Sequence, residues 1–164
     1  MTTKQDFTSE EWVELLQAPM TVTLYITISS PSVFGSIKEA YSTAKEIARL
    51  TQTQHENQLL RELAAEFKVR ESARKAQPEI ESKDPARVKE AALNDLQGVS
   101  RLLEQKATPE ESAQVRKWLY QIGVAAANAA KEGGFLGIGA VRVSPEEQAA
   151  LDDLQRVLGI EPAA

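Results

Sequence analysis

No cysteine occurs in these 164 residues, so disulfides, thiolate metal ligands, cysteine nucleophiles and cysteine-held iron–sulfur clusters are excluded. The single histidine, His55, stands among Gln54, Glu56 and Asn57. It has no second imidazole with which to build a His-Glu-x-x-His zinc site. A Gly-x-Ser-x-Gly nucleophile elbow is missing, as is the Gly-Lys-Ser/Thr of a phosphate loop. Aromatic residues make up only 5% of the chain, a composition poor for sheets. There is no excess of positive charge either: the formal net charge is -5, which argues against nucleic acid, whose binding rests on Lys and Arg neutralising phosphates. No apolar run approaches the roughly 20 residues that span a bilayer. The start, MTTKQDFTSEEW, lacks the apolar core of a signal peptide. The expectation is a cytoplasmic protein with no transmembrane segment, transient contact with a membrane surface remaining open.

What is present is ordinary globular chemistry, 42% hydrophobic and 26% charged, enough for one domain over residues 1–164 that buries roughly 70% of its unfolded surface. Helix starts recur along it. Thr8-Ser9-Glu10-Glu11, Ser36-Ile37-Lys38-Glu39 and Ser144-Pro145-Glu146-Glu147 have capping-box spacing, and Asp84-Pro85 and Thr108-Pro109 put a cap before a proline at the first helical position. The first helix, with Trp12, Leu15 and Leu16, is expected to stop before Pro19, with Phe7 stapled against it. The next stretch, MTVTLYITIS (residues 20–29), alternates like a strand. Because no second strand exists to pair with it, it reads as a buried helix with Val22, Tyr25, Ile26 and Ser29 on one face. Helical spacing continues over Ile37 to Ala48, then Leu59 to Phe67 with an end before Pro78. A polar connector at about 77–83 precedes a helix with Val88, Ala91, Ala92, Leu96, Val99, Leu102 and Leu103 inward, where Gly98 costs about 1 kcal/mol against Ala unless it allows close packing. Val115, Trp118, Leu119 and Ile122 lead into a small-residue run at 123–130 that lets another helix approach. A last helix carries Leu151, Leu154, Val157 and Leu158 and ends at Gly159. The sum is an all-α bundle of about seven helices.

Two stretches pair an apolar helix with a Phe- and Gly-containing break and a capped helix: residues 20–50, broken at SSPSVFGS, and residues 125–158, broken at EGGFLGIGAVRV. This suggests two pseudo-repeated helix–loop–helix halves. The ending IGVAAANAAKEGG…VSPEEQAALDDLQRVLGIEP resembles the tail of TerB-like proteins of the tellurite-resistance group. The resemblance implies an all-α bundle with two such halves, an association with stress, and acidic loop residues implicated in metal binding. Glu132 then stands for the loop acid and Glu147 and Glu39 for the helix-start acids, around a divalent metal ion. Ser30-Pro31 departs from the acid-glycine pair of the pattern.

Those three carboxylates are a thin set for a hard cation that takes six to eight oxygens, and Glu39 and Glu147 double as capping acids. Phe135, Leu136 and Ile138, in the loop with Gly133, Gly134, Gly137 and Gly139, either close the core or form an exposed contact loop for a protein partner, a second copy or an apolar ligand. No catalytic constellation is visible. The function expected is a non-enzymatic interaction or sensor-type protein, with a metal- or small-ligand-binding protein using the 132–147 loop as the alternative.

Overall fold

The computed structural model describes residues 1–29, 57–132 and 143–161. Among these residues the chain is all-helical, with no strand. A 3-10 turn at Lys4–Asp6 precedes α1 (Ser9–Ser29), α2 (Gln58–Glu66), α3 (Arg70–Lys75), α4 (Pro85–Lys106), α5 (Pro109–Glu132) and α6 (Pro145–Val157). The helix expected from Ser36 onward and both breaks of the pseudo-repeat lie outside the described residues.

α1 is the axis of the bundle, packing against α4, α5 and α6 and against the short α2 and α3. Its start is the capping box read at Thr8. The Thr8 N–H donates to a Glu11 carboxylate oxygen at 2.7 Å, and the Glu11 N–H donates to the Thr8 hydroxyl at 3.2 Å. Phe7, one residue before the cap, meets Trp12 with ring centroids 5.9 Å apart, the staple that fixes the chain's entry.

Contrary to the expected stop, α1 runs unbroken through Pro19 to Ser29. A mid-helix proline costs about 3 kcal/mol, through a lost backbone donor and a ring pressed on the preceding turn. Burial outweighs this. Leu15, Leu16, Met20, Val22, Leu24, Tyr25 and Ile26 are all buried, each contributing about 1.5–3 kcal/mol, and residues 18–26 are buried on every side, as the centre of a bundle requires. The stretch that alternates like a strand is therefore helical, as its lack of a partner strand required. Its hydroxyls do not need a sheet: Thr21 donates to the Gln17 carbonyl, Thr23 to Pro19 and Ser29 to Tyr25, at 3.1, 3.0 and 2.7 Å.

The single helix expected over 59–77 is instead two. α2, capped by the Asn57 side chain accepting from Leu60 N–H, ends at Glu66, and α3 starts at Arg70. The apolar stripe Leu59, Leu60, Leu63, Ala64, Phe67 runs out there, and helical continuation would carry Glu71 and Arg74 to the core face. The break avoids this and lets Ala76 become fully buried.

α4 starts on Asp84, whose carboxylate accepts from Ala86 N–H at 3.0 Å, with Pro85 in the first turn. Its inward residues are Ala92, Leu96, Val99, Leu102 and Leu103, while Ala91 faces water. α5 buries Val115, Trp118, Leu119 and Ile122. At Gly123 the expected close approach is present: a Cβ there would lie 2.5 Å from a Leu154 methyl and 3.3 Å from a Val22 methyl. α6 starts with the Ser144–Glu147 box and ends at Gly159, with φ +62°. There Gly159 N–H donates to Arg156 O and Ile160 N–H to Gln155 O, which satisfies the last carbonyls in a Schellman turn. Buried side chains from all of these helices except α3, together with Ala76 at its end, form one continuous core.

Candidate functional site

Of the acids carried over from the resemblance, Glu147 is described in full. It is 4% exposed, accepts from the Ser144 N–H at 2.9 Å, and its own N–H donates to the Ser144 hydroxyl at 3.1 Å. Its carboxylate serves the helix start. Glu132 is the last residue of α5, with its side chain outside the described residues, and Glu39, Phe135, Leu136, Ile138 and His55 lie outside them altogether. Among the described residues, no three His, Asp or Glu side chains converge as a metal-holding group, and no helix is long and apolar enough to cross a membrane.

Three assemblies among the described polar groups bear on a candidate site. The first ties residues 2–8 across one end of the bundle. Glu111, the capping acid of α5, receives the Thr2 N–H and hydroxyl at 2.8 and 2.7 Å and the Thr108 hydroxyl at 2.8 Å. Burial pushes its carboxyl up, but the Thr2 and Thr108 donors outweigh this and hold it down at about 2. Lys4 pairs with Glu66 and lies 5.5 Å from the centre of the Trp12 ring, while its N–H donates to Glu62 at 2.7 Å. Lys106, at the end of α4, pairs with Glu11 and donates to the Asp6 carbonyl. The Lys106 ammonium, followed by the Thr8 N–H, draws the Glu11 carboxyl below its usual range.

The second assembly joins α1 to α6. Tyr25, almost fully buried, donates to Asp153 at 3.1 Å, and Arg156 donates to the other oxygen of the same carboxylate at 2.7 Å. Burial first, and the neighbouring carboxylate second, push the phenol up to about 12. Both assemblies hold elements together and leave little for chemistry.

The third is different. Between the end of α4, the first half of α5 and the last turn of α6 lies a groove of about 930 Å³, with walls from Ala107, Pro109, Ala113 and Ile160 and polar groups from Ser112, Arg116, Lys117 and Tyr120. Arg116 anchors it. Its Nη2 donates to the Ser100 carbonyl at 3.0 Å and pairs with Glu104 at 2.9 Å, while Ser100 donates its hydroxyl to the Val157 carbonyl at 2.9 Å. The Arg116 side chain is 11% exposed, and its Nε is buried without an acceptor. A side chain at 159 would meet Nη1 at 2.9 Å, so the glycine that ends α6 also lets the guanidinium pack closely against that turn.

Sequence reasoning did not find this groove. Its one local signal was Gly159; Ser100, Arg116 and Gly159 belong to three separate helical segments, and nothing in their spacing relates them.

No family model, no curated protein and no solved structure matches this chain.

Proposed function

We propose that this chain is a non-enzymatic interaction and sensor-type protein of the TerB-like kind, acting by binding and not by turnover. The observation that carries the reading is the use of its acids. Glu11, Glu66, Glu111, Glu147 and Asp153 are engaged in caps and inter-helix clasps, while the α4–α5–α6 groove offers apolar walls with a few polar groups, the makeup of a ligand or partner site. The TerB-like assignment and its link to tellurite or other stress rest on the tail motif, and a cytoplasmic location is a separate part of this proposal.

The test is made on the full chain. Sedimentation over a wide concentration range and melting with a panel of small amphiphiles are expected to show self-association or ligand stabilisation. Turnover of an ester, phosphate or glycoside substrate that is lost on a single point substitution overturns the reading. The alternative role, a divalent-metal or small apolar ligand site formed by the 132–147 loop, is judged by calorimetric titration with Ca2+, Mg2+, Mn2+ and Zn2+ and by the same panel.

A further inference from the structure

We propose that the α4–α5–α6 groove is a binding site for a small amphipathic monocarboxylate, with Arg116 receiving the carboxylate and the apolar walls receiving its hydrocarbon body. The inference rests on the reading of the chain as a binding protein and names the ligand class of its groove. The volume of about 930 Å³ falls within the roughly 300–1,000 Å³ of small-molecule sites.

The charge arrangement selects the ligand. A guanidinium presents five N–H donors in a planar fork. In Arg116 Nη2 carries both acceptors, the Ser100 carbonyl and the Glu104 carboxylate, while the enclosed Nε has none. A ligand acceptor reaches this cation at Nη2, beside Glu104. Glu104 already shows which kind. Its carboxylate sits 2.9 Å from Nη2 although its own side chain is 64% exposed, so it can swing into water and cede the position. Lys117 lines the same groove and has no ion-pair partner among the described residues. Glu104 and Glu161 balance the two cations of the lining, so a ligand bearing one negative charge is tolerated where a dianion is repelled. Ala107, Pro109, Ala113 and Ile160 favour an aliphatic or aryl body over a sugar.

The test is titration of the isotope-labelled full chain with phenylbutyrate, followed by NMR, with phenylbutanol and phenylbutylamine as controls of the same shape. Phenylbutyrate is expected to shift signals of Ala107, Ser112, Ala113, Tyr120 and Ile160. The alcohol and the amine should bind at least about ten-fold more weakly, the difference made by a charge-assisted hydrogen bond. Arg116→Gln should weaken phenylbutyrate by a similar factor, and Glu104→Gln, which removes the competing carboxylate, should tighten it.

Ala113→Trp fills the groove from an exposed position and should abolish binding at unchanged melting temperature. If Arg116→Gln fails to fold, the Glu104 and Ala113 variants decide. Equal binding of alcohol and carboxylate, or a Glu104→Gln affinity equal to or weaker than that of the parent, overturns the ligand class while leaving the groove a binding site. An absence of shifts in these residues at about 10 mM, a concentration that reveals even millimolar affinities, overturns the site. Self-association in the sedimentation experiment then judges the broader reading separately.

Discussion

Tyr25 and Asp153 join the central helix to the last one through a phenol–carboxylate hydrogen bond of 3.1 Å, made in a site where the tyrosine is only 3% exposed. Its folded pKa of about 12 lies above the roughly 10 of an unfolded chain. A raised value means that the folded state holds the proton more tightly, so the contribution is intact below pH about 10 and is lost as pH rises from about 10 to about 12. Tyr25→Phe should lower stability at neutral pH by about 1 kcal/mol. It should also lose less stability than the parent over that alkaline window. Urea unfolding of both proteins at several pH values reads the difference, and parallel curves would show that the phenol is not linked to folding.

The acid side of the stability profile depends on Glu111. Its carboxyl, held at about 2 by Thr2 and Thr108 despite burial, is depressed below the ordinary 4.5, so its contribution is present above pH about 4.5 and declines as pH falls toward about 2. Glu111→Gln should cost about 1–2 kcal/mol at neutral pH, the scale of a lost cap with its hydrogen bonds, and should flatten the acid limb. Hydrogen exchange adds a local readout: the Thr2 amide, which donates to this carboxylate, should lose protection in the variant while α6 amides keep theirs.

At Glu147 the cap and the metal make opposite demands. In buffer containing a chelator, Glu147→Ala should lower stability by about 1–2 kcal/mol, because the Ser144 N–H loses its acceptor within a largely buried cap. Denaturant unfolding with and without chelator separates the two roles. A parent protein that loses stability when chelator is added, and a variant that does not respond, would assign the carboxylate to a metal instead.

What could be read from the sequence was local. The boxes at Thr8 and Ser144, the Asp84 and Thr108 starts and the Gly159 stop are set by side chains reaching backbone groups two to three residues away, or by one residue's φ, so spacing alone reveals them. The helical nature of residues 20–29 followed from pairing logic, since a strand without a partner leaves its backbone unsatisfied. The passage of α1 through Pro19 was hidden because the proline's cost is local and the compensating burial comes from helices far along the chain. The division at 67–69 was half-visible in the stripe that ends at Phe67. The groove was invisible because Arg116 gains its meaning from Ser100 on α4 and Gly159 after α6, residues that only the packing brings together.

Two glycines test that packing from opposite sides. Gly123 is where α5 meets α1 and α6, and a methyl there would fall 2.5 Å from Leu154 Cδ2. Leu154 and the neighbouring Val22 are both fully buried, so neither can yield without displacing the core. Gly123→Ala should therefore destabilise by about 1–3 kcal/mol despite its better helix propensity. Gly98, in the middle of α4, has nothing within 4 Å of the Cβ position and an ordinary helical φ. Gly98→Ala should gain about 0.5–1 kcal/mol, since the methyl meets no atom and the unfolded chain loses freedom. Thermal and denaturant unfolding of the two variants measures both signs. A stabilised Gly123→Ala would mean that α6 does not cross α5 at this residue, and a destabilised Gly98→Ala would mean that the open space along α4 is filled in solution.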